Sequence, residues 1–211
     1  MNDLYLIGNG FDLAHGLKTS YNDFLLWYLK RSISRFSPNK HFEDDLLIVD
    51  RPYNNPLEDH SSSGLFTECK RLQISIKYKH SFFQHIVLSY RIFKWVDIEH
   101  EYYLALVKLY EELVGECGNV DAIKPQVIEL NNCLNEIKKK MVEYLSSIQI
   151  STQQRNTLFE NILTEGTGPE CQYRGEKLFL YFNYTSTLEL YDKIPSSEKN
   201  KIVYIHHGVS R

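Results

Sequence analysis

The sequence contains few cysteines, and none of them stands where a metal site would need it. The four thiols are isolated, without a C-x-x-C pair or a histidine at metal-ligand spacing, at Cys69, Cys117, Cys133 and Cys171. We therefore expect no bound metal and interpret the thiols as free, mostly buried side chains. Unpaired cysteines fit a reducing compartment, so we expect a cytoplasmic protein.

Long apolar runs and basic stretches are also missing. The first apolar stretch is only Leu4 to Ile7, with no basic segment before it, and no run approaches the roughly 20 apolar residues that span a bilayer. The formal net charge is −3, and the only basic run, Lys138 to Lys140, lies in a helical pattern. A nucleic-acid binder normally shows a basic stripe. We expect no membrane insertion, and nucleic-acid binding is disfavoured.

Three short apolar runs predict β-strands: Leu4 to Ile7, Leu178 to Phe182, and Ile202 to Ile205. Because the first of these runs is unbroken, we expect its strand to be buried on both faces, as in a parallel sheet. Between the last two runs, the hydroxyl of Thr185 or Ser186 is predicted to cap a short helix.

The chain between the first two runs changes character twice. A helix beginning at Ser20 is predicted because its apolar residues recur at spacings of three and four, at Tyr21, Phe24, Leu25, Tyr28 and Leu29. Residues 37–64 are rich in Pro, Asn, Asp and Ser and predict an irregular excursion with a short strand at Leu46 to Val49. Residues 65–165 predict a broad helical region.

Two amphipathic helices stand out in that helical region. The first has an apolar face formed by Tyr103, Leu106, Val107, Tyr110, Leu113 and Val114. The second has a seam with coiled-coil-like spacing, formed by Val127, Leu130, Leu134, Ile137, Met141, Tyr144 and Ile148. Burial of this seam within the same molecule is favoured over a dimer interface, although a homo-oligomer stays open.

These patterns predict an α/β fold with a Rossmann-like parallel-sheet core and a large helical insertion between the first and second principal strands. We assign residues 1–36 to the first strand and helix of the core, 37–168 to the irregular loop and helical insertion, and 169–211 to the remaining strands. The chain stops at Arg211, soon after Gly208, where further strand and helix are expected. We therefore expect a truncated C-terminus.

Distinctive residues follow each predicted strand. In an open parallel sheet, ligands bind beyond the carboxyl ends of the strands. The residues at these ends are Gly8, Asn9, Gly10, Phe11 and Asp12 after the first strand, Asn183, Tyr184 and Thr185 after the second, and His206, His207 and Gly208 after the third. We expect them to surround one pocket, with His15, Thr19 and Tyr21 lining its mouth.

Each of these residues also has a purely structural interpretation. Asn9-Gly10 is typical of a hairpin, but the following residues lack strand alternation. Gly8 and Gly10 would let the backbone approach a pyrophosphate, although Leu13 replaces the third glycine of a dinucleotide fingerprint. Asn183 could simply end a strand, and His207 could be a core histidine.

The segment "WVDIE", residues 95–99, forms a further cluster with Trp95, Asp97 and Glu99. Asp97 as a helix cap, with Glu99 in the first turn, is as well supported as a functional role.

The segments "LYLIGNGFDLAHGLKTSYNDF", "WVDIE", "FNYTSTLELY" and "YIHHG" together resemble the bacteriophage abortive infection AbiH family along nearly the whole chain. At greater distance the same blocks resemble the SIR2-like fold, in which corresponding segments surround NAD. The resemblance implies that Gly8, Asn9, Gly10 and Asp12 form the nucleotide turn. It also implies that Asn183 orders the ribose or a water and that His207 is the general base.

The paired histidines depart from the single histidine that usually precedes this glycine in the family. Adjacent strand residues point to opposite faces, so only one of His206 and His207 can reach the pocket. The resemblance implies an antiphage protein that hydrolyses the N-glycosidic bond of NAD, responding to a phage-derived trigger. The alternatives are a non-catalytic nucleotide-sensing or protein-interaction module, and an enzyme acting on another nucleotide or on RNA.

Overall fold

The computed structural model describes residues 3–35, 40–52, 62–115, 120–151, 155–164, 176–191 and 200–205. Its strands are β1 (Asp3–Ile7), β2 (His41–Glu43), β3 (Leu47–Asp50), β4 (Ser75–Tyr78), β5 (Lys177–Tyr181) and β6 (Asn200–Tyr204). Its helices are α1 (Asn9–Ala14), α2 (Tyr21–Ser34), α3 (Ser62–Arg71), α4 (Ser81–Phe93), α5 (Ile98–Gly115), α6 (Val120–Ser147) and α7 (Thr157–Thr164), with a 3₁₀ helix at Thr187–Leu190. The α/β class is confirmed.

The chain divides into two compact units, one of residues 1–20 and 142–211 and the other of residues 21–141. Helix α2 belongs to the second unit in this division, whereas the sequence analysis grouped it with the first strand. The predicted assignment of the core and the insertion remains a prediction.

The first unit is built on a parallel sheet with the strand order β1-β5-β6. Ile7 pairs with Tyr181, which in turn pairs with Tyr204, so the three carboxyl ends lie in register at one edge. The predicted parallel arrangement of the three apolar runs is therefore confirmed. One face of the sheet carries a core cluster of Ile7, Phe11, Phe179, Tyr181, Leu188 and Tyr191.

The prediction that the first strand is buried on both faces is wrong. Leu4 and Leu6 are 59% and 67% exposed, whereas Ile7 is buried. The reason is that the side chains of β1 alternate between the core cluster and the opposite face, which is exposed at Leu4 and Leu6. In β5, Phe179 and Tyr181 are buried, and Leu178 and Leu180 are half-buried.

The second unit contains an antiparallel sheet with the order β2-β3-β4. Strand β3 confirms the predicted short strand. Strand β2 lies in a segment predicted to be irregular, and β4 lies in a region predicted to be helical, so both correct the prediction. Ser75–Tyr78 alternates polar and apolar residues, and Val49 of β3 pairs with its Ile76. A backbone with positive φ at Gln73 separates β4 from α3.

Helix α6 buries its predicted seam within the molecule. Leu130 and Ile137 are buried in the second unit, and so is Cys133 between them in sequence. Tyr144, in the first unit, is buried and donates a hydrogen bond from its hydroxyl to the carbonyl of Lys18 at 2.6 Å. The intramolecular interpretation of this seam is confirmed.

Half of the apolar face predicted for α5 is exposed, and the other half is only partly buried. Tyr103, Tyr110 and Val114 are more than 60% exposed, and Ile98 is the fully buried residue among the helix's described side chains. At the start of this helix, Asp97 accepts hydrogen bonds from the backbone N–H groups of Glu99 and His100, each at 3.1 Å. The helix-cap interpretation of Asp97 is therefore the one the structure supports.

Candidate functional site

The candidate site lies at the carboxyl ends of β1 and β5. The backbone N–H of Phe182 donates to the carbonyl of Ile7 at 2.8 Å, which extends the sheet by one bond beyond the last paired residues. The glycine turn after β1 and the polar segment after β5 are therefore brought together. On the other side, Ile205 donates to the carbonyl of Tyr181 at 2.9 Å, which does the same for β6.

A buried hydrogen-bond network joins the two segments. The hydroxyl of Thr185 donates to Asp12 Oδ2 at 2.6 Å and lies 3.0 Å from the hydroxyl of Thr187. Since the Thr185 proton goes to the carboxylate, Thr187 is the donor in the second bond. The hydroxyl of Tyr181 donates to the carbonyl of Thr185 at 2.9 Å. Burial raises the pKa of Tyr181, so its phenol stays a neutral donor.

Two polar atoms at this edge are buried and have no hydrogen-bond partner among the described residues. They are the second carboxylate oxygen of Asp12 and the amide nitrogen of Asn183. The Asn183 side chain lies near enough to the Tyr181 hydroxyl to act to lower its pKa, but the two do not meet hydrogen-bond geometry. Asp12 is 2% exposed and Asn183 is 4% exposed, so bulk water does not hydrogen-bond to these two atoms. An unsatisfied buried polar group costs about 1–3 kcal/mol. An acceptor and a donor, both costly to leave alone, therefore flank the turn.

The glycine turn has room beside it. Gly8 has an extended backbone with φ of −116°, which any residue can adopt, and Gly10 lies in α1. A Cβ atom added at either position would meet no atom of the described residues within 4 Å. Neither the backbone conformation nor packing against these residues requires glycine here. A ligand that comes close to the backbone would require it.

Asn9 and Thr19 are tied to each other. The Asn9 side chain donates to the carbonyl of Thr19 at 3.2 Å, and the Thr19 hydroxyl donates to Asn9 Oδ1 at 2.6 Å. The bonds lie in an exposed position, with Asn9 exposed and Thr19 half-buried, and they close the loop between α1 and α2.

His15 is buried, and both of its ring nitrogens are occupied. Nδ1 lies 2.6 Å from the carbonyl of Phe11, which can only accept, so this nitrogen carries the proton in the neutral ring. Nε2 is bonded to the hydroxyl of Tyr191. The ring also packs among Phe11, Phe159 and Tyr191. These contacts give His15 a structural role in the core.

The remaining predicted site residues are placed as follows. Phe11 is in the core cluster and Tyr184 is half-buried beside Asn183. Tyr21 begins α2 in the other unit. His206, His207 and Gly208 lie outside the described residues.

Sequence reasoning missed the contribution of Thr187 and misassigned that of Thr185. Ser186 is the N-cap of the 3₁₀ helix but makes no side-chain capping bond, and the hydroxyl of Thr185 goes to Asp12 instead of to the helix. The available signal was the T-x-T spacing in "NYTST", which places two threonine hydroxyls two positions apart after a strand end.

The described residues add two findings about the type of protein. None of the described helices combines the length and the apolarity that a bilayer crossing requires. Within the same residues, no group of three or more His, Cys, Asp or Glu side chains is arranged to hold a metal ion.

The fold and site define an α/β protein with a buried polar network at the carboxyl edge of a parallel sheet. A family model described as Bacteriophage abortive infection AbiH matches residues 4–211. The chain therefore belongs to the AbiH family, and membership implies a role in the abortive infection response to bacteriophage. No curated protein and no solved structure matches the chain.

Proposed function

We propose that this AbiH protein binds NAD or a related nucleotide at the carboxyl edge of its parallel sheet and hydrolyses the N-glycosidic bond. The observation that carries the proposal is the pair of buried, unpartnered groups, Asp12 Oδ1 and Asn183 Nδ2. A ribose hydroxyl can donate to the first and accept from the second. It would satisfy both groups, which the described protein residues do not.

The charge at the turn favours the sugar over the phosphates as the neighbour of Asp12. The carboxylate of Asp12 is buried and its neighbours in the network, Thr185 and Thr187, are neutral. A phosphate placed against it would add a like charge at low dielectric. The open space at Gly8 and Gly10 then accommodates the part of the nucleotide that passes along the backbone.

In the proposed reaction, water adds to the anomeric carbon as the bond to nicotinamide breaks. The products are nicotinamide, ADP-ribose and a proton, and His207 accepts that proton from the water or from a ribose hydroxyl. An imidazole with an ordinary pKa near 6.5 suits this role at neutral pH. A buried carboxylate such as Asp12 favours positive charge developing on the sugar.

The biological consequence would be depletion of NAD in the cytoplasm of an infected cell, set off by a phage-derived trigger. The test is to incubate the purified full-length protein with NAD, with and without extract of phage-infected cells, and to quantify nicotinamide and ADP-ribose by chromatography. Turnover is expected in at least one of these conditions and should be lost in Asn183→Ala.

The matched pair His206→Ala and His207→Ala separates the two histidines, because only the residue facing the site should be required. Circular dichroism of each variant checks that it is folded. If the protein binds NAD but leaves it unchanged in all conditions, the proposed function becomes nucleotide sensing and not hydrolysis. Unchanged NAD without binding, or full turnover in every variant, would refute the proposal.

A further inference from the structure

The second unit contains a cavity of about 530 Å³ between α4, α5 and α6. This volume is within the range of small-molecule sites, roughly 300–1,000 Å³. Its apolar lining includes Phe82 from α4, Leu104 from α5 and Leu130 from α6. The cavity can therefore enclose an apolar body of moderate size.

Carboxylates predominate among the charged groups that line the cavity. Glu101, Glu112 and Glu129 contribute three negative charges, and Lys108 contributes one positive charge. Among the Glu and Lys side chains of the lining, carboxylates therefore outnumber ammonium groups by three to one. Charge complementarity therefore favours a cationic ligand over an anionic one.

His80 supplies an unsatisfied acceptor at the same wall. Its Nε2 lies 3.1 Å from the carbonyl of Asp45, which can only accept, so Nε2 carries the proton of the neutral ring. Its Nδ1 is then an acceptor, and this atom is buried without a hydrogen-bond partner among the described residues. Oε1 of Glu129 lies 3.7 Å from this nitrogen, and the Glu129 side chain is 57% exposed.

Nδ1 of His80 and Oε1 of Glu129 are therefore both acceptors. Their separation of 3.7 Å is too long for a hydrogen bond, and neither atom carries a proton to donate to the other. Nδ1 of His80 is closed to solvent in the free protein, so a nitrogen can reach it only when a side chain of the lining moves aside. A nitrogen about 2.8–3.0 Å from each atom could then donate one N–H to both Nδ1 of His80 and Oε1 of Glu129. A primary ammonium group has three donors and a positive charge, which suits this pair of acceptors.

A second histidine fixes another carboxylate of the lining. His85 Nε2 lies 2.8 Å from Glu101 Oε2, and the Glu101 side chain is only 20% exposed. This oxygen of Glu101 already has a partner, whereas Glu129 has none closer than His80 at 3.7 Å in the ion pairs of the described residues. The wall formed by His80 and Glu129 is thus the point where a donor is missing.

We propose that this cavity binds a primary ammonium group carried on an apolar body, with the ammonium group between His80 and Glu129. The apolar body packs against Phe82, Leu104 and Leu130. This site is separate from the nucleotide site proposed above and lies wholly within residues 80–133.

The test uses three probes with the same indole body and different charge: tryptamine, tryptophol and indole-3-acetate. Each is titrated into the purified full-length protein by isothermal calorimetry at pH 7. We expect tryptamine to bind at least about tenfold more tightly than tryptophol, because its ammonium group makes charge-assisted bonds. Indole-3-acetate should bind most weakly.

Glu129→Gln should reduce the affinity for tryptamine about tenfold, to the level of tryptophol. Glu111→Gln is the matched control, because Glu111 is an exposed residue of α5 outside the cavity lining and loses the same charge. Affinity for tryptamine should be unchanged in this variant. If both variants lose the same affinity for tryptamine, the cause is long-range charge, and the proposed contact with Glu129 is overturned.

Histidine ¹⁵N spectra test the protonation argument directly. In the free protein, Nδ1 of His80 should show the shift of an unprotonated nitrogen, and tryptamine should move it in the direction of a hydrogen-bonded acceptor. A doubly protonated His80 in the free protein at pH 7 would overturn the proposal, as would the absence of binding by tryptamine.

Discussion

Replacing Thr185 with valine tests whether the buried carboxylate of Asp12 depends on one hydrogen bond. The Thr185 hydroxyl lies 2.6 Å from Asp12 Oδ2, and Asp12 is 2% exposed. The other oxygen of this carboxylate is already without a partner among the described residues. Thr185→Val therefore leaves the buried carboxylate of Asp12 with no hydrogen-bond donor among the described residues.

The expected cost follows from the two groups involved. A hydrogen bond to a charged group contributes about 1.5–3 kcal/mol, and a buried group left unsatisfied is penalised on the same scale. We expect Thr185→Val to lower the free energy of unfolding by about 2–3 kcal/mol at pH 7. This corresponds to a change of roughly 30- to 150-fold in the unfolding equilibrium.

Urea titration followed by far-ultraviolet circular dichroism measures this loss. Thr19→Val is the control, because its hydroxyl also donates at 2.6 Å but does so in an exposed position to the neutral side chain of Asn9. We expect a loss below about 0.5 kcal/mol in the control. Adding Asp12→Asn to Thr185→Val should restore about 1 kcal/mol, since a neutral amide costs less to bury than a carboxylate.

The reasoning would be refuted by equal losses in Thr185→Val and Thr19→Val. A double variant no more stable than Thr185→Val would refute the part of the argument that concerns charge.

Four further outcomes are expected. Gly10→Ala should leave the free energy of unfolding unchanged or raise it by up to about 1 kcal/mol, because alanine favours a helix. If a ligand approaches this turn, the same variant should bind NAD at least about tenfold more weakly by calorimetry. Normal binding would show that the ligand does not use the space beside the turn. Asp97→Ala should cost about 1 kcal/mol in urea titration through loss of the cap, whereas Asp97→Ser should keep most of it. Burial raises the pKa of Cys133 to about 12, so iodoacetamide at about pH 8 should modify its peptide far more slowly in the native than in the urea-unfolded protein by mass spectrometry, and similar rates would contradict its burial. The hydrogen bond to Asp50 is the main cause that raises the pKa of His41, so its contribution to stability is present at low pH and lost as the pH rises through the folded-state pKa; the difference in unfolding free energy between wild type and His41→Gln should shrink from about pH 6 to about pH 8, and a pH-independent difference would contradict it.

The parallel sheet could be predicted because each strand is an apolar run that stops at a polar residue or a glycine. That pattern indicated Leu4 to Ile7 and Leu178 to Phe182 and placed Asp12 and Thr185 near the same edge. The exposure of Leu4 and Leu6 could not be predicted. An apolar run reads the same whether one or both faces of its strand are covered, because burial depends on elements far away in the sequence.

The antiparallel sheet was harder to predict because its strands are short and partly charged. His41–Glu43 has a single apolar residue, and Ser75–Tyr78 is too brief for its alternation to outweigh the helices on either side. Both strands exist because β3 pairs with each of them, and no local pattern reports such pairing.

Membership of the site was more predictable than its contacts. Asp12 and Thr185 could be chosen as site residues from their positions after strands, but their hydrogen bond depends on side-chain rotamers that the sequence does not specify. For the same reason His15, selected as a lining residue, proved to have both ring nitrogens occupied by Phe11 and Tyr191.

The pairing of β1 with β5 also determines when the protein can acquire its site. Asp3 pairs with Lys177, so the ribosome must synthesise all of the residues between them before β1 can pair with β5. At bacterial elongation rates this takes on the order of ten seconds. Until then Asp12 has no Thr185 to bind. Unfinished chains released before this point carry no assembled site, so the proposed activity would depend on nearly complete synthesis.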